Sequence, residues 1–273
     1  MIARLALAVL ALAASPLQAQ TRLELAGRLY ERAAIGAQIG SIPTQFAQGL
    51  EGYRGKMPDE VIAALIEAGR KSFAEEALHG EIVADIAKRM KAEDIRKTLD
   101  WLDSLPGRRV TLAEAGAAAD IASGAMRAWL ESDKGKAVNP GRDKMIAELI
   151  RTTRAVEIGA GFIEATSLGI AVGMDATQPV EKRIGVAGLR ARLRQAMPPG
   201  RLRADVAEML PPTYAYVYRD VSDADLSACL KFSGSPLGSR YSEAVAAALI
   251  GALTRASVRV GEKMPDVPDR KQI

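Results

Sequence analysis

Apolar side chains recur along this chain at steps of three and four. After Pro58-Asp59, Val61, Ile62, Leu65, Ile66, Gly69 and Phe73 share one side of a segment, with Glu67, Arg70, Lys71 and Glu75 mostly on the other. The spacing continues through Ile82, Val83, Ile86 and Met90, then Ile95, Leu99 and Leu102. It returns at Val186, Leu189, Leu193 and Met197, and at Val245, Leu249, Ala252, Leu253, Ala256 and Val260. Such steps collect each set on one helix face and predict an all-α fold without a sheet. Tyr214-Ala215-Tyr216-Val217-Tyr218 alternates as a strand would, but it runs directly into a helical segment. It is read as helix, with Tyr214, Val217, Tyr218 and Val221 as the buried edge. Breaks are predicted at Gly55 to Pro58, Asp133 to Gly141, Asp175 to Pro179, Met197 to Gly200 and Pro211-Pro212, where Pro, Gly or Asn interrupts the pattern.

A repeat lies within this pattern. Residues 94–109 align without gaps on residues 225–240: Asp94 with Asp225, Leu99 with Leu230, Trp101 with Phe232, Ser104 with Ser235, Gly107 with Gly238 and Arg109 with Arg240. Upstream the register drifts, but Glu24-Leu25 and Glu148-Leu149 are each expected to open a helix leading into small residues. A fragment recurs at Trp129-Leu130-Glu131-Ser132 with Gly135. The expected organisation is two tandem helical units, residues 20–138 and 139–260, followed by a charged, Pro-bearing tail, 261–273, that is predicted to be disordered.

The residue types of the motif follow from helix physics. An acid near the start of a helix suits its dipole, and Ser222 with Asp225 forms a capping-box-like pair. The aromatic residue pins the corner, Ser caps the next helix, Pro236 suits its first position, and Gly lets the new helix start press on a neighbour. Alternatively, Ser104 and Ser235 would meet a ligand at exposed helix N-termini. With Leu230, Phe232 and Ser235-Pro236-Leu237-Gly238, the second copy resembles the exported bacterial family catalogued as domain of unknown function 2059. The first copy has Trp101 for Phe and Leu105-Pro106 where Pro then any residue is the family pattern. The resemblance implies a helical fold and an exported address; it carries no activity, cofactor or site residue.

The first nineteen residues also point to export. Arg4, the apolar run Leu5 to Ala14, and Ala19 before Gln20 follow the order of a cleavable signal peptide. The mature protein is expected to be periplasmic or secreted. Cys229 is the only cysteine and His79 the only histidine, so no intrachain disulfide, structural zinc site or Cys–His pair is available. Cys229, between Leu226 and Leu230, reads as a small buried side chain, and His79 as a packed or surface residue. No catalytic or metal-binding residues and no cofactor are assigned.

Four features bear on function. Glu164 lies in the apolar stretch Ile158 to Met174, either facing water or buried as a site candidate. Gly161, Ala165, Gly169 and Gly173 form a row of small residues suited to close helix packing or self-association. Glu164, Thr166 and Ser167 interrupt that stretch, so no transmembrane span is expected in the mature chain. Lys182 to Arg203 holds seven basic and no acidic residues and reads as a cationic amphipathic helix, which is ordinarily a solvated face and alternatively touches an anionic envelope surface. The leading expectation is a non-enzymatic envelope protein that binds a protein partner or an envelope component, or contributes structurally through its helical surfaces, with nucleic acid disfavoured. The first alternative is a carrier of a small apolar ligand between the halves, suggested by Ala/Gly-lined helices and Met145, Met174, Met197 and Met209. The second is a glycan-acting enzyme using Glu164 or Glu131.

Overall fold

The computed structural model describes residues 16–137 and 139–264. Arg4 and the run Leu5 to Ala14 of the expected export signal lie outside the described residues, as do residues 265–273 of the expected tail. Among the described residues the chain is all-α, with no β-strand. The first half comprises α1 (Pro16–Arg32), α2 (Ile35–Ile39), α3 (Ile42–Glu51), α4 (Asp59–Ser72), α5 (Glu75–Arg89), α6 (Ala92–Leu102) and α7 (Leu105–Ser123), with the short α8 (Ala125–Glu131) and α9 (Asp133–Lys136). The second comprises α10 (Pro140–Thr152), α11 (Ala155–Ala176), α12 (Gly185–Ala196), α13 (Pro199–Val217), α14 (Asp223–Ser233) and α15 (Pro236–Glu262).

The halves share a core. α15 packs lengthwise on α11 and also against α4, α5 and α6. One continuous apolar cluster joins Leu29, Phe46, Leu65 and Ile86 to Ala165, Leu249, Leu253 and Val260. The row of small residues on α11 makes this closeness possible. Gly161 faces Ile250, Gly169 faces Phe46 and Phe73, and Gly173 faces Leu65 and Val260. The Ala165 carbonyl accepts a hydrogen bond from Ser257 Oγ at 2.5 Å. The row is thus used inside the molecule. By length and composition α11 and α15 could each cross a membrane; here their apolar faces lie against one another.

The two halves also pack alike. α1 rests on α6 as α10 rests on α14, and α2 on α7 as α11 on α15. The joints α1–α2 and α10–α11 pass through Ala34 (φ 50°) and Arg154 (φ 58°), the only non-glycine residues of positive φ among those described. This places Leu29 and Leu149, both fully buried, at matching positions before the joint.

The helix corner forms three times with one geometry. Ser104, Ser132 and Ser235 each donate to the carbonyl of the aromatic residue three positions earlier, at 2.5, 2.5 and 2.6 Å. Each hydroxyl oxygen also accepts the N–H of Gly107, Gly135 or Gly238, at 3.2, 3.3 and 3.0 Å. A Cβ on any of these glycines would overlap the carbonyl oxygen of Trp101, Trp129 or Phe232. The motif glycine is therefore required by the approach of backbone to backbone.

Several sequence expectations are corrected. Pro211 and Pro212 lie inside α13 instead of breaking it. The carbonyls deprived of their N–H donors belong to Ala207 and Glu208, which are exposed, so solvent can serve them. Glu24 and Glu148 sit within α1 and α10, and neither opens its helix. The joints at Ala34 and Arg154 set the correspondence instead. The stretch 182–203 is not one helix: it divides into a 3₁₀ turn, α12 and the start of α13, separated at Met197-Pro198. Asp133 to Lys136 forms α9 within an expected break, and Gly261 and Glu262 continue α15 into the expected tail.

Replacing Gly238 or Gly107 by Ala is expected to cost about 3 kcal/mol of unfolding free energy, because the new methyl meets rigid backbone. Gly80, on α5 with open space around its Cα, is the control; Gly80→Ala should add about 0.5–1 kcal/mol. Urea denaturation of the three variants distinguishes the outcomes, and equal effects at Gly80 and Gly238 would contradict the corner geometry.

Candidate functional site

The two motif copies face each other. The rings of Trp101 and Phe232 stack with centroids 4.1 Å apart and planes inclined by 8°. Arg240 grips Asp94 with two hydrogen bonds of 3.0 and 2.9 Å, while Arg109 reaches Asp225 at 3.1 Å. The arginine of each copy thus pairs with the acid of the other. Arg240 holds the Asp94 carboxyl below the usual aspartate range; the Ser222 hydroxyl, aided by Arg109, does the same for Asp225. Leu99 is buried and Leu230 half-buried behind the rings, and Pro236 is the exposed first residue of α15. The Ser104 and Ser235 hydroxyls are engaged by their own corners. The motif residues therefore build a joint, and the side chains suited to a ligand lie behind it.

Behind the stacked rings is a small cavity of about 60 Å³ that touches Cys229 and Val110. It shares Glu114, Thr153, Tyr241 and Ser242 with a larger groove of about 310 Å³. The groove lies between the halves: α2, α3 and the turn joining them bring Gln38, Gln45 and Ser41, α7 brings Glu114 and Ala117, and α13, the turn that ends it and α15 bring Tyr214, Tyr218 and Tyr241.

Glu114 stands on the inner face of α7. Val110, Ala113, Glu114 and Ala117 follow the spacing that periodicity reserves for apolar side chains, and Val110 and Ala113 pack against Tyr218, Leu226 and Cys229. Its carboxyl accepts a 2.6 Å hydrogen bond from Tyr218 Oη. Burial pushes its pKa up, and the Tyr218 hydrogen bond only partly opposes this. Among the described residues no lysine or arginine forms an ion pair with it. The same low-polarity surroundings push Tyr214 and Cys229 up to about 12 and raise Tyr218 and Tyr241 above the ordinary tyrosine range. Tyr214 Oη lies 3.3 Å from Thr153 Oγ1, and its ring meets that of Tyr218 edge-on at 5.6 Å.

The residues singled out from the sequence fall elsewhere. Glu164 is exposed on the rim of a second groove of about 490 Å³, formed by α11, α15 and residues 193–203, wholly within the second half. On that rim Arg154 bridges Glu157 and Glu243, at 3.7 and 3.2 Å. Glu131 is exposed on α8. Of the four methionines only Met197 lines this groove; Met145 and Met174 pack against the core, and Met209 is exposed. His79 is exposed, with its ring 4.7 Å from Tyr30. In the basic stretch Arg183 donates to the Ala176 and Gln178 carbonyls at the end of α11, and Leu189 packs on Leu168 and Val172. Tyr218 and Val221 are buried and Tyr214 and Val217 half-buried. Tyr216 is buried too, on the opposite side, against Trp129 and with its hydroxyl on Asp120.

Chemically, the inter-half groove offers one protonatable carboxyl among phenols, hydroxyls and amides. Among the described residues no cluster of His, Cys, Asp and Glu suits a metal ion. Comparison with protein-family models, with curated proteins and with solved structures yields no match.

The raised pKa has a consequence for stability. Between the ordinary glutamate value and the raised one, the folded chain holds more protons than the unfolded chain. Glu114's contribution is therefore complete below the ordinary value and is lost as pH rises through the raised one. Glu114→Gln keeps an acceptor for Tyr218 and removes the titration. Thermal melts from about pH 4 to about pH 8 should show the variant gaining on the native chain as pH rises. Parallel curves would mean that Glu114 is not a desolvated acid.

Proposed function

We propose that this protein is an exported, non-enzymatic helical binding protein that holds a small ligand in the groove between its halves. The observation that carries the reading is Glu114, a desolvated carboxyl with no basic partner among the described residues, in a tyrosine-lined groove of about 310 Å³. That volume is at the small end for ligand sites, and a few convergent polar groups within an apolar surround are their usual make-up. The groove is bordered by both halves, so its width depends on how their corners join.

Two related units best account for the reciprocal Asp–Arg pairs, the stacked motif rings and the matched joints at Ala34 and Arg154, which supports a tandem duplication. The second corner supports membership of the exported helical family that it resembles, and the charge and apolar order of residues 1–19 supports a periplasmic or secreted address. Hydrolysis is disfavoured because glycan cleavage ordinarily uses a pair of carboxyls, and among the described residues Glu114 is the sole acid lining its groove.

A second reading places an apolar ligand in the α11–α15 groove, whose floor is Ala160, Gly161, Leu193, Met197 and Ile250. Native mass spectrometry of gently purified protein separates the two. The first reading expects a stoichiometric small ligand that is lost on Glu114→Gln and retained on Ala247→Phe; the second expects the reverse. A chain that carries nothing and is stabilised by no compound in a thermal-shift panel would overturn both. Turnover of peptidoglycan abolished by Glu114→Gln would overturn the non-enzymatic assignment.

A further inference from the structure

We infer that the ligand of the inter-half groove is a small organic cation, a protonated amine or a quaternary ammonium group, seated against Glu114 between Tyr214, Tyr218 and Tyr241. The inference rests on the reading of that groove as a ligand site and names the chemistry the site selects.

Three observations converge. First, the groove's charge is one-sided. The chain has 37 lysines and arginines and a net charge of +4, yet among the described residues no lysine or arginine lines this groove, where Glu114 is the single ionisable group besides the tyrosines. Two larger grooves both carry arginine: Arg154, Arg194 and Arg203 in one, Arg109 and Arg219 in the other. An anion would meet a carboxylate here with nothing to offset it, whereas a cation supplies the missing partner.

Second, the walls are aromatic. Only 4% of the chain is aromatic, yet three of its six tyrosines border this one groove. Tyrosine faces attract a cation through the ring quadrupole, most strongly where water is excluded. The chain already uses such a contact elsewhere, where the Arg219 guanidinium lies 3.9 Å from the centroid of the Tyr216 ring. Third, the other polar liners, Gln38, Ser41, Gln45, Thr153 and Ser242, are neutral. They can accept hydrogen bonds from an ammonium or from a hydroxyl attached to it.

The groups facing Glu114 from the packed elements are Tyr214 on α13, Tyr218 at the turn that ends it, Cys229 on α14 and Tyr241 on α15, all of which stay protonated well above neutral pH. Glu114 is thus the one group whose ionisation would tune the site, and cation binding should strengthen as pH rises through its titration.

The test pairs cations with neutral carbon isosteres. Choline is compared with 3,3-dimethylbutanol, and benzyltrimethylammonium with neopentylbenzene, by calorimetry on the full mature chain and by thermal shift. The expected result is at least one cation binding about tenfold more tightly than its isostere, with the difference erased by Glu114→Gln. Tyr241→Leu, which leaves the carboxyl in place, should weaken the cation several-fold and serves if the first variant folds poorly. A neutral isostere that binds as well as its cation overturns the inference while leaving the groove reading intact. Absence of binding by every member of both pairs likewise overturns the cation inference, while the groove reading falls only if native mass spectrometry and the thermal-shift panel also find no ligand.

Discussion

Two flat rings 4.1 Å apart, Trp101 and Phe232, hold the ends of α6 and α14 together, and much of the architecture can be followed outward from them. Each ring sits three residues before a capping serine, so fixing the rings fixes where α7 and α15 begin. α7 then lies along α14, and α15 along α6. The aromatic stack is worth only about 0.5–1.5 kcal/mol beyond the area it buries. Its importance is geometric: Trp101 packs both on the large shared core and on the smaller cluster around Tyr218 and Cys229. In the flanking Asp94–Arg240 and Asp225–Arg109 pairs the carboxylates are mostly covered while the guanidinium ends stay exposed, so water screens the pairs and they add orientation more than stability. Glu114 lies two turns beyond Gly107 on α7, so the same joint delivers its carboxyl to Tyr218.

Much of this was legible in the sequence, for a definite reason. Helical periodicity reports which side chains are apolar, and it placed Leu65, Ile86, Leu99, Leu249 and Leu253 in the core, where they are buried. The corner could be read from residue types because each answers one local need, with an acid for the helix start, Ser for the cap and Gly where no Cβ fits. Pro211 and Pro212 misled because a proline forbids its own hydrogen bond without forbidding a helix whose orphaned carbonyls face solvent. The misplacement of Glu24 against Glu148 has a similar origin. What matches between the joints is a left-handed residue, Ala34 or Arg154, and neither side chain advertises that conformation.

A ligand site between the halves was among the expectations, but the residues that line the groove were not legible. On α7 the stripe around Glu114 is made of Val110, Ala113 and Ala117, and short side chains give a weak periodic signal against the glycines and alanines around them. Glu164 drew attention because its surroundings are strongly apolar, yet it faces water. Whether a carboxylate in an apolar run points in or out is decided by which neighbouring helix covers it, and that is a tertiary fact. Nor could sequence bring Tyr241 of α15 to Glu114 of α7, because that meeting depends on the joint between the halves. The one usable signal was the stripe position itself, an acid where the pattern calls for an apolar residue.

That position is also the physical argument for function. Asp94, Asp225 and Glu81 are all held by arginines, across the joint or between α15 and α5. In a chain so rich in guanidinium groups, an acid set among phenols without one is a local conflict between stability and sequence choice. Desolvating a carboxyl has a cost that an alanine at the same place would avoid. Conflicts of this kind collect where a protein meets a ligand. Tyr218 stabilises the acid with one hydrogen bond, enough to orient the carboxyl but not enough to restore its ordinary pKa. What the arrangement lacks is positive charge of the right size, and the groove beside Glu114 has both the room and the walls to receive it.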